Sequence, residues 1–464
     1  LSDTKAALQL RQPPLGRRRR NRVELGMAAG VLGSQAVRAV GCQKGSVRKV
    51  MEGMMERVVS RENMVAAWQQ VKANAGAGGV DRKTVDATHR HLVSHWPGIA
   101  EKLVAGTYRP GAVRAVTIPK PNGGERLLGI PNVQDRLIQQ GLSQVLGEVF
   151  EPKMSEHSYG FRRGRSAHDA VAAARDHVLS GKRYVVDLDL KQFFDQVDHD
   201  ILMEQVKREV TDKRVLRLIG QYLRAPMVQA DGRREKRQRG TPQGGPLSPL
   251  LANIYLTSLD RELEARGIAF VRYADDIQLY IGSLRAAERL LASLSQWLQR
   301  HLKLEVNADK SGRGPSDGAT LLGFRLHANG EIDLAPRSLE RLKDEVRAQW
   351  DARCSLPLTE RPQRWREYLT GWWGYFRFAT CWRQVCGLSG WIRRHQRKYF
   401  WLRWHHPRGR LRALQRLGIQ GRALGQAWSR RGAWRMARHP VLHTALPNAR
   451  LSRWGFGLPW HSAA

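Results

Sequence analysis

The chain has 464 residues, with 78 Lys and Arg against 42 Asp and Glu, for a formal net charge of +36. That length allows two or more domains with a sizeable core, and the charge excludes a self-sufficient neutral globule: it calls for a polyanionic partner, nucleic acid before an anionic membrane. No apolar run reaches membrane-span length and no signal pattern opens the chain, so a cytoplasmic protein without membrane association is expected.

Residues 1–55 place Pro13-Pro14 and the run Arg17, Arg18, Arg19 and Arg20 among scattered glycines. Like charges beside Pro and Gly predict a flexible basic arm that touches RNA. From Asn63 a helical pattern runs into the glycine-rich loop Asn74 to Asp81, where Gly76, Gly78 and Gly79 let the backbone come close to a phosphate or a template strand. Val116 to Pro131 predicts two strands joined by a Pro-Gly turn. Lys120 and Arg126 flank its mouth, a point charge and a planar fork suited to a triphosphate. Ser166 with Asp169 predicts a capped helix.

Tyr184 to Leu190 alternates, so Asp187 and Asp189 share one face of a strand. A helix is expected from near Asp198. In the loop Gly240 to Pro249, Ser248 is read as an N-cap and Pro249 as the first helical residue, with Leu251, Tyr255, Leu259 and Leu263 forming the stripe. Ile268 to Ile281 then predicts a tight hairpin with Asp275 and Asp276 at its tip, followed by a helix and a strand over Leu302 to Val306. This order fits a split βαβ sheet of ferredoxin-like topology, which makes the end of the Asp189 strand a neighbour of the hairpin tip.

Beyond Pro336 the pattern turns helical, and 12 of the 15 tryptophans lie from Trp350 onward. Most of them are read as core. Arg393, Arg394, Arg397 and Lys398 beside Trp391 and Tyr399 suit stacking and phosphate contact with folded RNA. The domains expected are therefore a basic arm over 1–55, an α+β unit over 56–335 and an α-helical unit over 336–464. The four cysteines lack zinc-site spacing and are expected to be free thiols.

Two adjacent acids in a turn repel one another unless a cation is shared. With Asp189 they make a carboxylate set for two Mg²⁺ ions, hard cations that prefer oxygen ligands and in-line phosphoryl transfer chemistry.

Tyr273-Ala274-Asp275-Asp276 resembles the YxDD signature of reverse transcriptases. With Asp189, Pro242-Gln243-Gly244 and Ser248-Pro249-Leu250-Leu251-Ala252-Asn253 it resembles the group II intron-encoded reverse transcriptase/maturase family, over roughly residues 60–455. Ile118-Pro119-Lys120 to Gly129-Ile130-Pro131, Leu304 to Ser311, Leu321-Leu322-Gly323-Phe324 and the Trp/Arg-rich Gly371 to Phe376 match further blocks in the same order. Leu127 and Leu321 depart from residues common in the family, both by apolar exchange.

The resemblance implies a right-hand polymerase, with fingers and palm followed by a thumb/maturase domain. It implies Asp189, Asp275 and Asp276 as catalytic metal ligands, with Leu190 beside them. Lys120, Arg126, Gln192, Phe193, Gln243 and Lys310 would bind the nucleotide, and Phe194 would be the steric gate favouring dNTPs. The implied partners are group II intron RNA, target DNA and a primer strand, in the bacterial cytosol or nucleoid. No Cys/His-rich block follows Gly457-Leu458-Pro459-Trp460, which matches endonuclease-lacking, class C-like members and implies no second-strand cleavage. The alternatives are a splicing cofactor with an idle polymerase site and a domesticated polymerase with a repair or defence role.

Overall fold

The computed structural model describes residues 53–119, 125–308 and 310–461. The expected basic arm with Arg17, Arg18, Arg19 and Arg20, and Lys120, lie outside the described residues. The chain divides into two compact units, one holding 184–314 and the described residues up to 170, the other 171–183 and the described residues from 315 onward.

The first unit begins with helices α1 (Met54–Val59), α2 (Arg61–Ala73) and α3 (Val85–Val104). Strands β1 (Val113–Pro119) and β2 (Glu125–Ile130) pair antiparallel, with Ile118 opposite Arg126, as the Pro-Gly turn predicted. Helix α4 (Val133–Phe150) follows, and its Leu137, Ile138, Leu142, Val145 and Leu146 enter the core at helical spacing. Helix α5 (Ala167–Leu179) opens on the expected reciprocal cap: Asp169 N donates to Ser166 Oγ at 3.2 Å, and Ser166 N donates to the Asp169 carboxylate at 2.7 Å.

β3 (Tyr184–Asp189), the short α6 (Phe193–Gln196), α7 (His199–Lys207) and α8 (Lys213–Arg224) come next. The two-residue strands β4 (Met227–Val228) and β5 (Arg234–Glu235) complete a sheet of order β2-β1-β4-β5. Helix α9 (Ser248–Ala265) leads into the hairpin β6 (Ala269–Tyr273) and β7 (Asp276–Ile281), then α10 (Leu284–Leu302) and β8 (Gly312–Pro315). The second sheet has order β6-β7-β3-β8. Counting its strands along the chain, that is 2-3-1-4, the ferredoxin-like order expected from the sequence. It places β7, which begins at Asp276, beside β3, which ends at Asp189.

Two local expectations fail. Leu302–Val306 is not a strand: α10 runs through Leu302 and stops where Lys303 turns left-handed at φ 49°, leaving Val306 one isolated bridge to Leu190. The strand comes later, at β8. Ser248 is not an N-cap either; it lies inside α9, and its hydroxyl donates to Pro242 O at 2.8 Å, fastening the Gln243 loop to the helix.

In the second unit, β9 (Thr320–Leu321), β10 (Phe324–Leu326) and β11 (Ile332–Leu334) form a small antiparallel sheet. Helices α11 (Pro336–Gln349), α12 (Arg361–Phe376), α13 (Arg383–Arg403) and α14 (Pro407–Arg416) follow. Trp350, Trp365 and Trp401 are fully buried, so tryptophan serves packing here as the sequence suggested. No helix among the described residues is long and apolar enough to cross a membrane.

One buried acid in α4 carries a pH dependence. The Asp135 carboxylate accepts from Tyr108 Oη at 2.9 Å, Tyr222 Oη at 3.2 Å and Gly111 N at 3.1 Å. Burial outweighs these bonds and pushes its pKa up from 3.8 to about 6. A carboxyl raised in the folded state contributes stability that is full below pH about 4 and lost as pH rises through about 6. Wild type should therefore lose on the order of 2 kcal/mol relative to Asp135→Asn between pH 4 and pH 7. Urea midpoints across that range check this; parallel pH profiles for the two proteins would refute it.

Candidate active site

The acidic pair sits where two strands end. Tyr273 pairs with Asp276 across a two-residue turn, Ala274-Asp275, and Ala274 takes φ 60°, a conformation that tight hairpin turns demand and side chains resist. Asp276 is in turn the register partner of Asp189 on β3, after Asp187 opposite Gln278 and Leu188 opposite Ile277. Opposed residues project from the same face with Cβ atoms about 5 Å apart, and like charges so placed destabilise the sheet. The fold thus sets two carboxylates face to face at a strand end with a third beside them in the turn.

A fully buried arginine holds this turn. Arg272 lies in β6 with no exposed side-chain surface, and so does Asp260 in α9. Its Nε donates to Asp260 Oδ1 at 2.7 Å and its Nη2 to Oδ2 at 2.5 Å, a planar fork on a carboxylate. The remaining Nη1 donates to the turn carbonyl of Ala274 at 3.0 Å and to Asn253 Oδ1 at 2.9 Å, while Asn253 Nδ2 donates to Gly160 O at 2.8 Å. A Cβ on Gly160 would stand 2.3 Å from Ala274 N, so only glycine lets that backbone lie against the turn. Arg272 N donates to His157 O at 2.9 Å and Tyr159 N to Arg272 O at 2.8 Å, closing the outer edge of β6. Arg272 and Asp260 are not among the residues expected from the sequence to serve the site. The sequence does carry a signal for them: a charge inside a buried strand and an acid on the apolar stripe of α9 each need a partner.

The segment after α10 grips the other carboxylate. Asn307 Nδ2 donates to Asp189 Oδ2 at 3.0 Å, Asn307 N donates to Asp189 O at 2.8 Å, and Asp189 N donates to Ser311 Oγ at 3.0 Å. Exposed Lys310 rides on this turn, its N donating to Asn307 O at 3.2 Å. Leu190 buries its side chain in the core, and its backbone bridges to Val306. Asp187 is held by Gln278, and its pKa is raised to about 6 by burial, with the nearby Asp276 charge adding to the rise.

No cluster of three or more His, Cys, Asp and Glu side chains able to hold a metal exists among the described residues. The register brings Asp189 beside Asp276, with Asp275 next to it in sequence, but among the described residues the three carboxylates do not form one metal-holding cluster. Mg²⁺ does not require one, since it is usually held by one or two carboxylates together with substrate phosphates and water. The hard oxygen donors at this strand end fit that ion.

Around the carboxylates stand the residues expected to receive a nucleotide. Gln192 is exposed, with φ 47°, ahead of α6. Phe193 is buried against Tyr255, with ring centroids 6.4 Å apart, whereas Phe194 is only half-buried. Of the two rings, Phe194 therefore has a surface to offer. Its carbonyl accepts from Thr241 N at 2.7 Å, and Gln243 O accepts from Gly129 N at 3.0 Å, so one loop ties α6 to β2, the strand of half-buried Arg126. A cavity of about 250 Å³ opens beside Gln243, lined also by Asp195, Arg237 and Leu127.

Other expected contacts have internal explanations. A Cβ on Gly76 would meet Arg136 Nη1 at 2.3 Å, on Gly78 Lys83 O at 2.7 Å, and on Gly79 Asn132 N at 2.6 Å, so these glycines serve close packing of the loop against its own surroundings. In α13, Arg393 and Arg397 are not on an exposed basic face: each is only 5% exposed. Arg393 Nη1 donates to Phe456 O at 2.9 Å and Arg397 Nε to Leu446 O at 3.0 Å, because unpaired carbonyls of the C-terminal segment need donors. Arg394 and Lys398 remain half-exposed and flank the Trp434 ring, at 5.1 and 6.0 Å from its centroid.

Residues 118–326 match the family model for reverse transcriptase (RNA-dependent DNA polymerase), and 339–418 match that for the group II intron, maturase-specific domain. Protein YkfC of Escherichia coli is 31% identical over 291 residues, covering 54% of this chain and 75% of YkfC. The chain belongs to the group II intron-encoded reverse transcriptase/maturase family. The group II intron-encoded protein LtrA of Lactococcus lactis is 37% identical over 198 residues, 42% of this chain and 32% of LtrA. The COX1/OXI3 intron 1 protein of Saccharomyces cerevisiae is 32% identical over 203 residues, 43% of this chain and 24% of that protein. The chain thus spans a third or less of the length of these last two relatives. In this reverse transcriptase/maturase the fold is that of a right-hand polymerase, α+β in its first part and helical in its second.

The Arg272–Asp260 pair should be costly to break and cheap to replace. Arg272→Met strands a buried carboxylate and should lower stability by about 3–5 kcal/mol, while the double exchange Arg272→Met with Asp260→Leu should recover most of that loss. Urea denaturation of the two single variants and the double variant measures the coupling. Additive losses would show that the pair does not act as a unit.

Proposed function

We propose that this reverse transcriptase/maturase is an RNA-directed DNA polymerase that binds its own intron RNA, assists splicing and copies the RNA into DNA from a primer at a target site. The observation that carries the reading is the register of Asp189 with Asp276 at the end of β3, with Asp275 in a turn locked from behind by Arg272. A pure RNA-binding surface has no use for opposed carboxylates, which cost stability without a cation between them.

Asp189, Asp275 and Asp276 would hold Mg²⁺, two ions in the full reaction, which supply charge stabilisation for the attacking 3′-hydroxyl and the departing pyrophosphate. The protein's own contribution is placement. Arg272 and Gly160 fix the turn, and Asn307 and Ser311 fix Asp189, so both carboxylates are oriented before substrate arrives. Arg126, together with Lys120, would take the triphosphate of a dNTP, and Lys310 stands on the turn that closes on Asp189. The half-buried Phe194 edge would exclude a ribose 2′-hydroxyl, and Gln243 would meet the nucleotide or its template base. The domain organisation proposed is a basic arm over 1–55, fingers and palm over 56–335, and thumb/maturase over 336–464.

A splicing cofactor with an idle polymerase site is the second reading; the maturase-domain match over 339–418 supports the splicing role under either reading. Asp275→Asn separates the two. It should cut Mg²⁺-dependent primer extension on an RNA template by about 10³-fold, the equivalent of several kcal/mol of transition-state stabilisation, while RNA affinity stays within about twofold. Extension at the wild-type rate would remove Asp275 from the metal site. Phe194→Ala should raise ribonucleotide incorporation relative to dNTPs by about 10-fold or more in the same assay. An unchanged ratio would move the gate elsewhere.

A further inference from the structure

After Glu367 no Asp or Glu occurs through residue 464, while Arg and Lys recur throughout that stretch. Its cations therefore have no local carboxylates to neutralise them. Within this stretch α13 and the segments after it enclose a cavity of about 500 Å³, lined by Ser389, Arg393, Arg394, Arg397, Arg438, His443 and Asn448. That size is in the range of small-molecule sites.

Among the described residues, none of the four arginines makes an ion pair. Arg393 and Arg397 are nineteen-twentieths buried, and their hydrogen bonds go to neutral acceptors only: Phe456 O, Gln396 Oε1 and Ser452 Oγ for the one, Leu446 O and Asn448 Oδ1 for the other. Among the described residues, Arg393 Nε is buried with no hydrogen-bond partner. Two buried guanidinium groups on successive turns of one helix, with one donor unspent, are costly unless a negative charge joins them. Arg438 is exposed and Arg394 half-exposed at the same cavity, which leaves an entrance. The groups feel one another: burial, with the Arg397 charge, pushes the Arg393 pKa down to about 10, and His443 is lowered by burial and by Arg397 and Arg394.

We propose that this cavity is a phosphate-binding pocket that receives a backbone phosphate of an RNA strand, with room for the attached nucleoside. Arginine forks match phosphate oxygens in pairs, the Asn448 amide and Ser389 hydroxyl add neutral donors, and the absence of any acid leaves no competing charge. RNA is favoured over a free nucleotide because the Trp434 ring, flanked by Arg394 and Lys398 and met edge-on by His395 with ring centroids 4.9 Å apart, continues the cationic and aromatic surface beyond the pocket mouth. The proposal rests on the reading of the protein as RNA-binding and gives that reading one discrete contact.

The test uses the full chain, a single-stranded RNA oligonucleotide followed by fluorescence anisotropy, and inorganic phosphate followed by thermal unfolding. Arg438 has no internal role to lose, so Arg438→Glu and the double variant Arg394→Gln with Arg438→Gln are compared with Arg430→Gln/Arg431→Gln, an equal charge change at exposed positions outside the pocket. The pocket variants should weaken RNA binding about 10-fold or more with a shallower salt dependence, and the control less than about twofold. Equal effects of pocket and control variants would overturn the pocket while leaving RNA binding intact. If wild type bound no RNA, the RNA-binding reading itself would fall. Stabilisation by phosphate that the pocket variants abolish, without any change in RNA affinity, would reassign the pocket to a free phosphate compound and overturn the RNA occupant.

Discussion

A single buried ion pair governs the geometry of the acidic tip. Arg272 and Asp260 are both withdrawn from water, and a guanidinium with five donors is satisfied there only by a carboxylate plus further acceptors. Two of those acceptors, Ala274 O and Asn253 Oδ1, belong to the turn and to α9. The pair therefore converts the packing of α9 under the sheet into a fixed position for Asp275 and Asp276. A turn with φ 60° at an alanine is strained, and the bond to its carbonyl is one of the contacts that hold it. Gly160 completes the arrangement by approaching from the other side closer than any side chain would permit.

Charge is managed differently in the two units. In the first, arginines are matched: Arg272 with Asp260, Arg162 with Glu151, Arg214 with Asp212 and Glu56. In the second, after Glu367, the buried arginines Arg393 and Arg397 are matched among the described residues by neutral carbonyl, amide and hydroxyl oxygens. A carbonyl satisfies the hydrogen bonds of a guanidinium without cancelling its charge, so the positive potential persists. The acid-free stretch after Glu367 thus contributes a large share of the net charge of +36.

The sheet was legible in the sequence because period-2 alternation around Asp187 and Asp189, the hairpin pattern and the long apolar stripe of α9 each point to one answer. The site followed, since the ferredoxin-like order alone brings Asp189 to Asp276. What was not legible depended on tertiary partners. Ser248 looks like a cap locally, yet its hydroxyl finds Pro242 O. Leu302 to Val306 looks like a strand, yet α10 continues until Lys303 breaks it. Arg393 and Arg397 look like surface charges on a basic helix, and nothing in the local sequence shows that the carbonyls of Phe456 and Leu446 will cover them. The glycines at 76, 78 and 79 suit ligand approach and internal packing equally well until their neighbours are known.

Asp189 and the clamped turn at Asp275 and Asp276 are proposed to form one divalent-cation site completed by substrate. Binding of Mn²⁺, as a paramagnetic substitute for Mg²⁺, to the protein with a primed RNA template and an incoming dNTP tests it most directly. Bound Mn²⁺ should be lost on Asp189→Ala and also weakened by Arg272→Met in the Asp260→Leu background, where the fold is kept but the turn carbonyl loses its donor. Mn²⁺ binding unchanged by Asp189→Ala would contradict it.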